Sequence, residues 1–124
     1  MTSKLLVVSN NPQVWAESAH TCRKVEGSSL NVLYTCLEIL GEEKHVLFAH
    51  PVAGNARLVH NPFRSVVLEE KEDAAPEEIR DGIRTLAYFI EKMEDLNGDV
   101  PPGTRDDYRV VDYELFKAVI PAHL

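Results

Sequence analysis

The chain has 124 residues, 44% of them apolar and 27% charged, with a formal net charge of −7 and a pI near 5.2. That length fits one domain spanning residues 1–124, large enough to bury a core without a disulfide or a metal. The acidity argues against nucleic acid or an anionic membrane as a bulk partner, because the field of the whole protein repels phosphates. No stretch approaches the roughly 18 apolar residues of a membrane span, and the short apolar run near the start is no signal-peptide core, so the expected compartment is the cytoplasm.

Residues 4–9, KLLVVS, form a continuous branched apolar run of the kind found in strands covered on both faces, and predict a central parallel strand. Asn10, Asn11 and Pro12 follow, a capping asparagine and a proline suited to the first helical position, so a short helix to about His20 is expected. Residues 22–25 predict a weak strand, and Gly27 and Ser28 a turn and a helix cap. From 29 to 42, Leu30, Leu33, Cys36, Leu37 and Leu40 recur at helical spacing. Residues 45–49 are the next strand, ended by His50 and Pro51.

A further strand is predicted at 65–68. Pro76, Glu77 and Glu78 open a helix whose stripe Ile79, Ile83, Leu86, Ile90, Met93 and Leu96 requires about 20 residues. Residues 97–107, rich in Gly, Pro and Asp, read as an exposed loop. A fifth strand is expected at 108–111, with Asp112 as the cap of a last helix over 113–120. The order of elements predicts a single-domain three-layer α/β sandwich of the Rossmann or flavodoxin-like kind, with a mostly parallel sheet of about five strands. Ligands of such sheets bind at the carboxyl ends of strands where the winding reverses. With strand one between strands two and three, that rule places Asn10 and Asn11 beside His50.

The stretch 50–64, HPVAGNARLVHNPFR, holds two histidines, two arginines and two asparagines but no acid. None of the chain's 20 carboxylates falls between Lys44 and Leu68. His50, directly after a strand, can act as an acid, a base or an anion donor near neutral pH, or simply bond its own loop. Gly54 and Asn55 can bring backbone N–H groups close to an oxyanion, although the same pair is an ordinary turn. Arg57 and Arg64 are permanent cations whose planar forks match a carboxylate or phosphate, or pair with a surface acid. Asn61 and Phe63 can close the loop. His50 and His60 lack a third ligand at metal spacing, and Cys22 and Cys36 show no paired motif, so no metal is expected. Nucleotide-binding and hydrolase motifs are missing, so no cofactor is expected either.

With these residues in view, the sequence resembles the GrdX family, whose members carry a strand followed by Asn-Asn-Pro and a later His-Pro-Leu-x-Gly-Ser-x-Lys-Pro-Asn-x-Thr-Pro-Tyr-Lys-Ser stretch. Asn10, Asn11 and Pro12 match the first motif; His50, Pro51, Gly54, Pro62 and Ser65 match the second without a gap. Arg57, Phe63 and Arg64 are like-for-like replacements, while Leu58, Val59 and Asn61 depart from the pattern. The segment from Val25 to Ser28 is also similar. The resemblance implies a setting, since its members are encoded with the glycine, sarcosine and betaine reductase systems of amino-acid-fermenting anaerobes, and it implies no reaction.

The expectation is therefore a cytoplasmic accessory protein that binds a small anionic metabolite, or a carboxylate or phosphate group, at Asn10, Asn11, His50, Gly54, Asn55, Arg57, Asn61 and Arg64. The rival readings are a small enzyme with His50 as its general acid/base, and a module that docks on a reductase subunit. The apolar positions of the last two long helical stretches further suggest a homodimer.

Overall fold

Apolar side chains on both faces of the first strand require cover on both sides, and that requirement decides the layering. The computed structural model describes residues 4–49, 62–95 and 105–119. Strands β1 (Leu5–Ser9), β2 (Thr21–Lys24), β3 (His45–Ala49) and β4 (Ser65–Glu70) form one sheet, and helices α1 (Pro12–Glu17), α2 (Ser29–Gly41), α3 (Pro76–Asp95) and α4 (Arg105–Val119) cover it. Along β1, Leu6 and Val8 join the cluster built with α2 and α3, while Leu5 and Val7 join the one built with Val14 of α1 and Phe116 of α4. Strand β4 divides in the same way, with Val66 and Leu68 on one side and Val67 on the other.

The sheet order is β2-β1-β4-β3, with β1 parallel to β2 but antiparallel to β4, and β4 antiparallel to β3. This corrects the expected mostly parallel, five-stranded sheet with strand one between strands two and three. Strand β4 takes the place beside β1. The reason is that a two-sided apolar pattern reports burial on both faces and carries no information about direction. It fits an inserted antiparallel strand as well as a parallel one. The stretch 50–64 thus connects two antiparallel neighbours whose joined ends both lie at the carboxyl edge of β1.

The second correction concerns residues 108–111, which belong to α4 rather than to a fifth strand, with Asp112 inside the helix rather than at its cap. The β-branched pair Val110 and Val111 is exposed, whereas Asp112 and Phe116, four residues apart, are buried, with Tyr113 and Val119 packed beside them. A three- and four-residue recurrence is a helical face, and it overrides the local β-propensity of the valines.

The remaining elements form near their sequence signals, except that α1 stops at Glu17, where Ser18 turns extended, short of the expected His20. Asn11 caps α1, its side-chain oxygen accepting from Gln13 N–H, with Pro12 at the first helical position. Ser28 caps α2, which buries Val32, Leu33, Cys36, Ile39 and Leu40. The α3 helix has the expected 20 residues, and Ile79, Leu86, Phe89 and Ile90 are its buried stripe, with Ile83 and Met93 partly covered. Leu96 lies outside the described residues. Both cysteines are free thiols; burial pushes that of Cys36 up to about 12, so it behaves as a small core residue.

Leu86 is fully buried where α3 meets the sheet. Leu86→Ala should lower unfolding stability by about 2–5 kcal/mol, the range for emptying such a site, when urea denaturation of variant and wild type is compared.

Candidate functional site

On the face covered by α1 and α4, the apolar layer gives way to a polar one at the carboxyl end of β1. Leu5 and Val7 are followed on that face by Ser9, and Val67 is preceded on β4 by Ser65, which stands opposite Ser9 in the ladder. On α4 the same change occurs one turn before Phe116, at Asp112. Ser9, Asn11, Ser65 and Asp112 meet there in a polar knot. Asp112 Oδ2 accepts from Asn11 Nδ2 at 2.9 Å and from Ser65 Oγ at 2.8 Å.

The direction of these bonds can be read off. Each serine has one hydroxyl proton. Ser65 gives its proton to Asp112, so in the 2.8 Å contact between the two hydroxyls Ser9 is the donor. Ser9 Oγ in turn accepts the backbone N–H of Asn11 at 2.9 Å. A one-way chain therefore runs from Asn11 N–H through Ser9 and Ser65 to the Asp112 carboxylate, the order an ionised acceptor requires. Asn11 Nδ2 also donates to the carbonyl of Arg109 at 3.0 Å, which fastens α4 to the start of α1. A second contact, from the Arg109 guanidinium to Gln13 Oε1, joins the same two helices.

Asn10 makes the adjoining tie. Its two amide hydrogens go to the carbonyls of Gly27, at 3.0 Å, and Pro62, at 2.8 Å, while its Oδ1 accepts from Arg64 N–H at 2.8 Å. Its own backbone N–H reaches Arg64 O at 3.3 Å. The residue thereby fastens the end of β1 to the turn before α2 and to the exit of the 50–64 stretch. Gly27 holds φ +126°, where a side chain is strained, and a Cβ there would also push aside the Asn31 amide, so glycine is the residue that presents its carbonyl to Asn10 without strain. Trp15 closes the outer side, donating from Nε1 to Ser9 O at 2.7 Å under the ammonium of Lys24.

Arg64 and Asp112 are the charged members, both almost fully buried. Burial lowers the Arg64 guanidinium from its usual range, and the nearby Asp112 charge opposes that shift. Burial raises the Asp112 carboxyl, opposed by the hydrogen bonds from Asn11 and Ser65 and by the Arg64 charge. The Asp112 charge thus compensates the burial of Arg64, whereas the burial of Asp112 is compensated first by the hydrogen bonds from Asn11 and Ser65 and then by the Arg64 charge.

Of the residues singled out in the sequence, Asn10, Asn11 and Arg64 are brought together here. His50, Gly54, Asn55, Arg57 and Asn61, together with His60, lie outside the described residues. Both asparagine side chains are fully engaged with the protein, so the structure gives them a positioning role. Ser9, Ser65 and Asp112 were not anticipated as site residues. The available signal was that β1 ends and β4 begins in serine at one edge of the sheet. Among the described residues no group of three His, Cys, Asp or Glu side chains is placed to hold a metal. A cavity of about 270 Å³ lined by Lys4, Thr21, His45 and Glu70 lies at the opposite edge, and one of about 230 Å³ is lined by residues of β3 and α3.

The family model of the GrdX-like proteins matches residues 6–121, nearly the whole chain. The chain belongs to the GrdX-like family. No curated protein and no solved structure matches it. The match extends the resemblance through α3 and α4, so the helix that delivers Asp112 to the knot lies within the span that defines a GrdX-like protein.

Two outcomes follow from the knot. Asn10→Ala leaves the carbonyl of Pro62 and the N–H of Arg64 without their partner, and should cost about 2–4 kcal/mol by urea denaturation. For Asp112, whose carboxyl is raised on folding, the stabilising contribution is complete below the ordinary Asp range near pH 4 and is lost as pH rises through the folded value. The stability of wild type minus that of Asp112→Asn should therefore decline from about pH 4 upward and then level off; a difference that grows with pH contradicts the assignment.

Proposed function

We propose that this GrdX-like protein is an accessory component of a glycine, sarcosine or betaine reductase-type amino-acid fermentation system, and that it binds a small anionic metabolite at the carboxyl edge of its sheet. The family membership supports the setting. The observation that carries the binding reading is the Asn10 tie, which anchors the exit of the acid-free 50–64 stretch through Pro62 and Arg64. A stretch rich in donors and cations is useful for recognition only if its ends are held, and this contact holds one of them. Within the proposal, Arg57 is the counter-charge for a carboxylate or phosphate, His50, Gly54, Asn55 and Asn61 supply hydrogen bonds, and Asn10, Asn11 and Arg64 position the edge.

Among the described residues no helix is long and apolar enough to cross a membrane, which fits the cytoplasmic placement in this reading. Tyr88 of α3 and Val110 and Val111 of α4 are exposed, and they support self-association as part of the same proposal.

A thermal-shift screen of phosphate, acetyl phosphate, glycine, sarcosine and betaine tests the reading. A ligand at 100 times its dissociation constant adds about 2.7 kcal/mol, a rise of several degrees in Tm. At least one of these compounds should produce such a rise in wild type and a clearly smaller one in Arg57→Ala. Equal shifts in the two proteins, or none in either, would exclude the proposal.

A further inference from the structure

The donors gathered around Asp112 are carried by elements other than α4, although Asn11 Nδ2 also donates to the Arg109 carbonyl of that helix. Asn11 is held by its cap on Gln13 N–H and by its backbone bond to Ser9. Ser65 is held by its register with Ser9. Arg64 is fixed by the contacts of its backbone with Asn10. An amide N–H and a hydroxyl thus meet at one carboxylate oxygen, with the Arg64 charge near enough to act on it. That combination matches the acceptor oxygens and the charge of a carboxylate.

We propose that Asn11 Nδ2, Ser65 Oγ and Arg64 constitute a binding site for the carboxylate of a small ligand, which the free protein fills with its own Asp112 and which opens when α4 moves aside. The inference rests on the proposed anion-binding function for its natural competitor, while the donor set can be tested without that reading. Three observations support it. Asp112 reaches the donors from a separate element, α4, rather than from the frame that carries them. The apolar anchorage of α4 is modest: Phe116 is its one buried hydrophobic residue among those described, with Tyr113 and Val119 partly covered, whereas α3 buries Ile79, Leu86, Phe89 and Ile90. Finally, the carboxylate is buried, and burial opposes its ionised form, so its place depends on the hydrogen bonds from Asn11 and Ser65 and on the nearby Arg64 charge.

A tethered carboxylate competes at high effective concentration, so a free one displaces it only when other parts of the ligand add contacts at the same edge. Simple carboxylates therefore have little effect on wild type. They enter readily once the tethered one is removed.

The experiment is a formate titration of wild type, Asp112→Ala and the double variant Asp112→Ala/Ser65→Ala at neutral pH, with chloride as the ionic-strength control and Tm as the readout. Asp112→Ala should melt below wild type and regain at least half of the loss, saturably, by about 100 mM formate. Wild type should barely respond, and the double variant should lose most of the recovery. Any anion that stabilises wild type should stabilise Asp112→Ala more. If Asp112→Ala is unfolded in buffer, the readout becomes the return of helical circular dichroism on adding formate. No recovery, or equal formate responses in wild type and Asp112→Ala, overturns the proposal. Failure of the Arg57 comparison alongside successful formate recovery removes the natural ligand and leaves the site; the reverse pattern removes the site alone.

Discussion

Asn10 saturates its side chain on three backbone groups from two remote parts of the chain, and the carboxyl edge of the sheet depends on that geometry. Gly27 is held on one side, Pro62 and Arg64 on the other. A buried amide satisfied in this way contributes modestly, but leaving its partners unsatisfied is costly, so the arrangement resists change more than it adds stability. Directly beneath it, Asn11 performs a second fastening, from the start of α1 to the backbone and carboxylate of α4. Two consecutive asparagines therefore tie together the elements that converge on this edge.

The electrostatics of the edge acquire a different meaning from this packing. The stretch between Lys44 and Leu68 lacks acids in sequence, yet its Arg64 feels the charge of Asp112, on a helix almost fifty residues downstream. Local composition thus overstated the positive character of the site. Arg64 is buried near the Asp112 charge, which leaves Arg57 as the cation on which the proposed recognition of an external anion rests. The acid and the base sit where neither is cheaply desolvated alone, and the hydroxyl chain from Ser9 through Ser65 directs its hydrogens toward the carboxylate.

Much of the secondary structure was legible from residues acting locally. The Asn11–Pro12 cap, the Ser28 cap and the long stripe beginning at Ile79 each reflect interactions within a few positions, and each element formed near its expected place. What failed required non-local information. The direction of β4 is set by which strand it meets, and its alternating burial on two faces is silent on that point. Residues 108–111 look like a strand because valine and tyrosine favour one, but the spacing of Asp112 and Phe116 against the sheet selects a helix. The site was half legible for the same reason. Asn10, Asn11 and Arg64 stood out by type and position, whereas Ser9 and Ser65 gained significance only once the antiparallel register set them opposite each other. Asp112 looked like a cap because aspartate commonly is one, and its place in the helix interior turned it toward the sheet.

The central claim is that the frame of this knot, Asn10 with Arg64 and Ser9 with Asn11, is an integral part of the native fold at the carboxyl edge whether or not Asp112 is seated on it. Residue-resolved native-state hydrogen exchange tests it most directly, through the N–H of Arg64, bonded to the Asn10 side chain, and the N–H of Asn11, bonded to the Ser9 hydroxyl. The account predicts that both amides exchange only with global unfolding, at the level of Val7 and Val67 in the centre of the sheet. Fast exchange of Arg64 and Asn11 while Val7 and Val67 remain protected would show that this frame opens freely, and would contradict the account.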